Sequence, residues 1–202
     1  MDRLNWRFFA WGFCLVSLAD LLIKALAYYW DHWVAWQLDQ RFNLDSELSI
    51  ATWLSIVILL VISSRLFDLY QRYGIKEWLV GSIITLLMSL DEAISGHELI
   101  MELLRSGFGI EKGILYHSWI ILGLPAVIIF LVYGYRFLNI SKSKRLIFGA
   151  IASYLTAVIV IEAIGGAMDY QSYLYQWFTV WIEEVLEFVG LVLALAWVDR
   201  QG

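Results

Sequence analysis

The segment Trp78–Glu98, WLVGSIITLLMSLDEAISGHE, decides the fold of this chain. Its first thirteen residues are almost wholly apolar, and the eight that follow carry three acids and a histidine. A second apolar run, Phe178–Val198, contains the acids Glu183, Glu184 and Glu187. A charged group in hydrocarbon costs at least a few kcal/mol, so such groups pair, bind an ion or face a polar cavity. The two runs therefore predict buried helices that share one polar site.

The composition excludes an ordinary soluble domain. Hydrophobic residues make up 61% of the 202 positions, whereas soluble domains contain about 45–50%. The net charge of −5 gives no information about binding partners, because much of the acid lies inside predicted membrane spans. No basic stripe suggests nucleic acid, and the single Cys14 cannot form an internal disulfide. We therefore expect an integral membrane protein in contact with a lipid bilayer.

Six stretches meet the length rule for bilayer-spanning helices, which is about 20 mainly apolar residues. They are Trp6–Trp30, Leu48–Phe67, Trp78–Leu99, Leu115–Phe137, Arg145–Met168 and Tyr173–Val198. The links between them are short, and none has the composition of a domain linker. The sequence therefore predicts an all-α polytopic bundle of six transmembrane helices, with residues 1–202 forming one domain.

The longest link, Asp31–Glu47, is rich in tryptophan. Trp30, Trp33 and Trp36 recur at every third residue, and aromatic residues favour the membrane interface. This pattern predicts that the link continues the first helix as an interfacial extension.

Lys and Arg residues predict the orientation of the bundle. With both termini in the cytoplasm, ten of them lie inside and three outside. The inner residues are Arg3, Arg7, Arg65, Arg72, Lys76, Arg136, Lys142, Lys144, Arg145 and Arg200, and the outer ones are Arg41, Arg105 and Lys112. The basic start of the chain runs into the first span without a signal-peptide cleavage site. We therefore expect an N-in, C-in protein of the bacterial inner membrane with a retained first helix.

Helix geometry predicts that acids of three helices lie at one depth. A rise of about 1.5 Å per residue sets Asp91, Glu162, Glu183, Glu184 and Glu187 between the midplane and the outer third. The same rise sets His97, Glu98 and His117 nearer the outer surface. On the third helix Asp91, Ser95 and Glu98 share one face. The last helix presents Glu183, Glu187, Gly190 and Ala194 as one stripe that faces the bundle.

The first interpretation of these residues is a transition-metal site. Helical bundles hold pairs of iron or manganese ions with inward carboxylates and histidines, because such ions prefer oxygen and imidazole ligands. The predicted ligands are Asp91, Glu92, Glu162, Glu183, Glu187, His97 and His117. Iron or manganese is favoured, with zinc as an alternative. The usual Glu-x-x-His pair is absent, since the nearest spacing is Glu92 to His97.

Such a metal site would serve redox or hydrolytic chemistry on a lipid-soluble or periplasmic substrate, with the ion polarising a bond or activating water. No Ser/His/Asp order, phosphate loop or nucleotide fingerprint is present. Whether the protein is an enzyme therefore stays open at the level of sequence.

Three other interpretations compete with the metal site. Intramembrane carboxylates also build proton relays and cation-coupled transporters. His97 and His117 leave and enter adjacent predicted helices, so a haem or pigment between them is a second alternative. The acids can also serve only as interhelical hydrogen-bond partners, for example in an accessory subunit of a larger membrane complex or a homo-oligomer.

Asp20 and Lys24 form a separate charged pair. They lie at positions i and i+4 of the first helix, which favours an ion pair between them. The alternative is that Asp20 reaches the acidic cluster.

The two acidic helices carry a family resemblance. The pattern Ser89-Leu90-Asp91-Glu92 through His97-Glu98, with the later Glu183-Glu184-Val185-Leu186-Glu187-Phe188-Val189-Gly190, resembles that of uncharacterised bacterial multi-pass membrane proteins. In those proteins a Leu-Asp-Glu…His-Glu helix accompanies a Glu-Glu-x-x-Glu-x-x-Gly helix. The resemblance covers two of the six predicted helices and implies no activity, only that these two segments belong together.

Overall fold

The computed structural model describes residues 5–29, 33–46, 49–109, 119–167 and 179–202, and within these ranges the chain is helical without a β-strand. The helices are α1 (Trp6–Tyr29), α2 (Trp33–Phe42), α3 (Ile50–Tyr73), α4 (Lys76–Ile94), α5 (Gly96–Phe108), α6 (Trp119–Ile140), α7 (Lys144–Leu155), α8 (Glu162–Ala167) and α9 (Trp181–Asp199). A π-helical turn, Thr156–Ile161, joins α7 to α8. The predicted all-α class is confirmed.

Helix α1 shows why these segments suit a membrane. Its outer stripe exposes large apolar side chains at Phe8, Trp11, Leu15, Leu18, Leu22 and Leu26. The opposite stripe, with Phe9, Phe13 and Val16, is buried against the other helices. In water a contiguous apolar stripe of this size is a liability. In a bilayer it contacts lipid at no cost.

Within the described ranges, three helical segments are long and apolar enough to cross a membrane: Trp6–Ala27, Ile50–Tyr73 and Lys144–Gly165. A fourth crossing is formed if α4 and the end of α5 count as one span bent by 70°. These four segments overlap four of the six predicted spans. The other two predicted spans overlap α6 and α9, whose neighbouring residues 110–118 and 168–178 lie outside the described ranges.

The predicted extension of the first helix is wrong. Lys24 Nζ donates a hydrogen bond to Asn43 Oδ1 at 3.2 Å, although nineteen residues of continuous α-helix would separate the two by about 28 Å. Helix α2 therefore folds back along α1 as a hairpin. The physical reason is polar: Asn43, directly after α2, accepts a hydrogen bond from the half-buried Lys24 ammonium of α1, which holds the two helices side by side.

Helices α3 and α4 form an antiparallel pair. Gly74, with φ of 68°, ends α3 in the left-handed conformation that glycine adopts without strain. Ser63 Oγ donates to the Ser82 carbonyl at 2.8 Å, and Ser82 Oγ returns a bond to the Ser63 carbonyl at 2.9 Å. Small hydroxyl residues of this kind allow close helix packing in lipid.

Helix α9 runs parallel to α3 and antiparallel to α1. Arg65 of α3 forms an ion pair with Asp199 at the end of α9. The ring of Phe13 on α1 stacks on Phe188 of α9, with centroids 3.9 Å apart. Helix α9 therefore lies at the centre of the bundle, in contact with α1, α3 and α7.

The bundle is closed at one end by a group of aromatic rings, here called the aromatic end: Trp78, Phe137 and Trp197. Their centroids lie 5.4 to 5.7 Å apart, and all three side chains are buried. Trp197 Nε1 donates to Ser141 Oγ at 2.7 Å. These rings join α4, α6 and α9.

Helices α7 and α9 approach most closely at Gly190. A Cβ atom on this residue would lie 3.1 Å from the Ala150 carbonyl oxygen and 3.1 Å from Tyr154 Cβ. One turn away, Ser153 Oγ donates to the Leu186 carbonyl at 2.6 Å. The absence of a side chain at Gly190 therefore sets the spacing that brings Tyr154 to α9.

Candidate functional site

The predicted continuous helix Trp78–Leu99 is broken at Ser95. This residue has φ 51° and ψ 42°, ends α4 and precedes α5. The common face predicted for Asp91, Ser95 and Glu98 assumed an uninterrupted helix, and the break at Ser95 removes that basis. A non-glycine residue in this conformation is uncommon and is often found at functional sites.

Asp91 stabilises the break through its carboxylate. Oδ1 accepts a hydrogen bond from the His97 backbone N–H at 3.0 Å, and Oδ2 lies 2.9 Å from His97 Nδ1. A Cβ at Gly96 would lie 2.7 Å from Asp91 Oδ1, so glycine is needed for this approach. The carboxylate thus satisfies an N–H at the start of α5 that would otherwise lack a helical partner.

A second irregularity lies in α7. After Leu155 the helix widens into the π-helical turn Thr156–Ile161, and Thr156 Oγ1 donates to the Ala152 carbonyl at 2.7 Å. Single π-helical turns inside α-helices occur frequently at functional sites. Tyr154 lies two residues before the start of this turn.

Tyr154 lies within electrostatic range of four carboxylates from α4 and α9. They are Glu187, Glu92, Asp91 and Glu184. Glu184 interacts in turn with Glu187, Asp45, Glu92 and Glu183. The side chains of Tyr154 and of the four carboxylates are half-buried. We call Asp91, Glu92, Tyr154, Glu184 and Glu187 the acidic site.

The structure brings together part of the predicted ligand set. Asp91, Glu92 and Glu187 belong to the acidic site. Glu183 interacts electrostatically with Glu184. His97 is hydrogen-bonded to Asp91. His117 and the Glu162 side chain lie outside the described residues. Within the described part of the chain, no group of three or more His, Cys, Asp or Glu side chains has the geometry to hold a metal ion.

Three members of this environment lie outside the predicted ligand set: Tyr154, Glu184, and Asp45 of the predicted helical extension. The close approach of α7 to α9 at Gly190 explains why Tyr154 lies beside α9. The fold-back of α2 along α1 brings Asp45 within electrostatic range of Glu184 on α9. The turn-forming residues Asn43, Asp45 and Ser46 were the available signal for the end of α2.

An apolar cavity of about 80 Å³ lies between the aromatic end and the acidic site. Phe137 and Trp197 line it from one side, and Tyr154 lines it from the other. Its walls are almost wholly apolar.

The charged pair of α1 lies apart from the acidic site, in the α1–α2 hairpin. Lys24 Nζ lies 2.9 Å from Asp20 Oδ1 and donates to Asp20 Oδ2 at 3.0 Å, so the predicted pairing is confirmed. The Asp39 carboxylate of α2 interacts electrostatically with the Asp20 carboxyl group. Burial raises the pKa of the Asp39 carboxyl above its ordinary value, and the Lys24 ammonium opposes this shift.

The fold and the acidic site define a class: a helical membrane-associated protein whose bundle contains clustered carboxylates. The family model for the domain of unknown function DUF8692 matches residues 9–200, so the chain belongs to that family. No curated protein and no solved structure matches the chain.

Proposed function

We propose that this protein is a multi-pass protein of the bacterial inner membrane that couples protons or cations to transport through the acidic site. The observation that carries the proposal is the convergence of carboxylates from α4 and α9 on Tyr154 of α7. Each of these elements comes from a different part of the chain. Interhelical hydrogen bonding requires only one or two carboxylates. Four ionised carboxylates close together repel one another unless a proton or cation is present.

The chemistry follows from this charge balance. With protons or a cation bound, the carboxylates are neutralised and α4 and α9 can pack closely. When the acidic site is empty, the negative charges favour separation or hydration of the two helices. The Tyr154 hydroxyl can donate a hydrogen bond to a carboxylate and accept one from a protonated acid, which suits proton transfer between α4 and α9.

Irregular backbone beside the acidic site supports a moving part. Transporters commonly bind substrates and ions where membrane helices are broken. Here α4 breaks at Ser95, and the π-helical turn that follows α7 begins two residues after Tyr154. These two positions are where changes in backbone angle would concentrate as the charge of the acidic site changes.

The proposal includes six crossings with both termini in the cytoplasm. Helices α6 and α9 supply the two crossings beyond the four candidate spans. In this orientation the aromatic end faces the cytoplasm, where most Lys and Arg residues lie. The acidic site faces the outer half of the membrane. The resemblance of the two acidic helices to bacterial multi-pass proteins agrees with this assignment.

Proteoliposomes with a trapped pH-sensitive dye test the proposal under an imposed membrane potential. We expect wild-type protein to move protons, and Glu187→Gln and Glu184→Gln to reduce the rate by about tenfold or more. Glu102→Gln is the matched control, because Glu102 on α5 is exposed. A second assay replaces the dye with a sodium- or potassium-sensitive one. Flux equal to that of protein-free liposomes in both assays would refute the proposal.

A metal site is the second candidate, and one contact favours it. Metal-ligating histidines usually present their other ring nitrogen to a carboxylate, which is the relation of His97 to Asp91. Asp91, Glu92, Glu162, Glu183, Glu187, His97 and His117 would supply ligands to iron, manganese or zinc. In this case the ion would supply redox or hydrolytic chemistry.

Elemental analysis of detergent-purified protein separates the two candidates. After metal-replete expression, a metal site predicts about one or two equivalents of a transition metal, lost in Glu187→Ala and kept in Glu102→Ala. Less than about a tenth of an equivalent in the wild type excludes a metal site of useful affinity.

A further inference from the structure

The apolar cavity comes nearest to the surface of the bundle between α4 and α6. It is only partly enclosed by the helices. Its lining side chains on α3, such as Leu59 and Ile62, are buried. Those on the other side are half-buried: Thr85 and Met88 of α4, and Tyr133 of α6. In a bilayer, hydrocarbon chains of lipids are therefore closest to the cavity on the side of α4 and α6.

The cavity has the size and depth for a short section of an alkyl chain. Its volume of about 80 Å³ is roughly half that of an engineered apolar cavity of about 150 Å³ that binds benzene. Its lining on α4 extends from Gly81 to Met88, which lies about 7–18 Å along the helix from Lys76. One leaflet of a bilayer contains about 15 Å of hydrocarbon. Most of the cavity is thus at the depth of the acyl chains of one leaflet.

Cationic side chains adjoin the cavity where α4 begins and α6 ends. The Arg136 guanidinium lies 5.3 Å from the centroid of the Tyr133 ring, which lines the cavity. Arg136 Nη1 also lies 3.9 Å from Glu77 Oε1 on α4. Lys76 precedes Glu77 in the chain, and both Lys76 and Arg136 are exposed. We call Lys76, Glu77, Tyr133 and Arg136 the α4–α6 seam.

Positive charge is in excess at this end of the bundle. Among the described residues, the basic ones at this end are Arg7, Arg65, Arg72, Lys76, Arg136, Lys142, Lys144, Arg145 and Arg200, and the acidic ones are Asp68, Glu77 and Asp199. A basic end of this kind attracts anionic lipid headgroups in general. The α4–α6 seam differs from the rest of this end because its cations adjoin an apolar cavity.

We propose that the α4–α6 seam binds one anionic phospholipid, with the phosphate at Lys76 and Arg136 and part of one acyl chain in the cavity. The phosphate carries the charge opposite to that of the two cations, and the acyl chain matches the apolar walls. The ammonium of a zwitterionic lipid would be repelled by the same cations, and a free phosphate ion would leave the cavity unfilled. The site uses no carboxylate of the acidic site, so it does not depend on the proposed transport function.

Native mass spectrometry of the detergent-purified full chain tests this site. Phosphatidylglycerol and phosphatidylcholine with identical oleoyl chains are titrated into separate samples at equal ionic strength. We expect the first phosphatidylglycerol to bind about tenfold more tightly than phosphatidylcholine, because each Lys or Arg near a membrane surface contributes about fivefold to the affinity for anionic lipid. Glycerophosphoglycerol, the same headgroup without acyl chains, should show no saturable binding at these concentrations.

One pair of variants tests the headgroup contact. Arg136→Gln should weaken phosphatidylglycerol binding about fivefold and leave the affinity for phosphatidylcholine unchanged. Because Arg136 is exposed, this variant should fold. Arg7→Gln is the matched control, since it removes an exposed cation of α1 at the same end of the bundle, and it should bind phosphatidylglycerol like the wild type.

A second pair of variants tests the acyl-chain contact. Ala194 lines the cavity, and Ala194→Leu adds three carbon atoms there. This variant should weaken phosphatidylglycerol binding about fourfold or more, the factor for one methylene group kept out of the cavity. Ala152→Leu on the exposed face of α7 is the matched control. Ala194→Val adds two carbon atoms and replaces Ala194→Leu if the larger side chain prevents folding.

Each contrary outcome overturns the proposal. Equal affinities for phosphatidylglycerol and phosphatidylcholine would remove the headgroup contact. Equal losses in Arg136→Gln and Arg7→Gln would reduce the effect to the general attraction of a basic surface. Unchanged binding in both Ala194 variants would show that no acyl chain enters the cavity. Glycerophosphoglycerol that binds as tightly as the lipid would show that the seam recognises a free anion.

Discussion

The aromatic end and the acidic site are built from overlapping helices, α4 and α9, but by opposite means. At the aromatic end three buried rings contact one another, and the helices that carry them are regular. At the acidic site α4 breaks, α7 widens, and half-buried carboxylates share a small volume. One end of each helix therefore serves packing, and the other carries charge.

The difference indicates how a small membrane protein accommodates charges that oppose its own folding. Packing and reciprocal hydrogen bonds between Ser63 and Ser82 hold α3 and α4 together near the aromatic end. This rigid part lets α4 and α9 keep like charges close together at their other ends. Strain and charge at functional positions are commonly offset by packing elsewhere in this way.

The largest effect is expected when the aromatic end is damaged. Trp197→Ala removes a fully buried ring and leaves a cavity, which costs about 3–5 kcal/mol of unfolding free energy. Thermal unfolding in detergent measures the loss. Trp53→Ala is the matched control, since the Trp53 side chain is 60% exposed. A loss of similar size in both variants would mean that the aromatic end contributes no more than a lipid-facing tryptophan.

A smaller loss is expected where α7 and α9 meet. Gly190→Ala should destabilise the protein by about 1–3 kcal/mol, because its Cβ meets backbone atoms that cannot easily move. Gly107→Ala in exposed α5 meets nothing within 4 Å, and should gain about 0.5–1 kcal/mol from reduced chain entropy. The two variants carry the same substitution with opposite expected signs. Equal signs would contradict the close approach that positions Tyr154.

At the α4–α5 break the expected effect is local. Asp91→Asn weakens the carboxylate contacts to His97 and should cost about 1 kcal/mol, the usual value of a helix cap. Hydrogen exchange should accelerate at the backbone amide of His97 while amides in α3 stay unchanged. Asp68→Asn serves as the exposed control. Slow exchange at His97 in Asp91→Asn would show that the break is held by something else.

The smallest effect is a pH dependence in the α1–α2 hairpin. Burial raises the pKa of Asp39 above the ordinary value of 3.8, so the folded protein binds this proton more tightly than the unfolded chain. Stability from Asp39 is therefore present at low pH and is lost as the pH rises through the raised pKa. The unfolding temperature should therefore fall over this range. Asp39→Asn should flatten the curve, and an unchanged slope would assign the pH dependence to another group.

The long apolar runs predicted much of the fold. The predicted first helix begins at Trp6, as α1 does. The predicted second helix begins at Leu48, two residues before the start of α3. Length and hydrophobicity are local properties, and in a membrane they suffice to locate helices. The break at Ser95 is also encoded locally, but it depends on Asp91 reaching the His97 N–H across six residues. A helical-wheel projection cannot represent that contact.

The membership of the acidic site depended on tertiary contacts that spacing does not reveal. Asp91, Glu184 and Glu187 are predicted to share one depth, and all three lie within electrostatic range of Tyr154. Tyr154 itself belongs to this environment because Gly190 lets α7 pack against α9. The reversal of α2 was missed because tryptophan spacing is equally compatible with a separate helix. Depth is a one-dimensional quantity, whereas a site requires the rotation and direction of each helix.

The central position of α9 has a consequence for biosynthesis. Phe13 must stack on Phe188, which leaves the ribosome roughly 175 residues later in the chain. At about 5–20 residues per second, this interval lasts roughly 10–35 s. During that time α1, α3 and α7 are already made, and the groove that will receive α9 has no occupant from this chain. An insertion factor or lipid chains must cover that groove until α9 arrives.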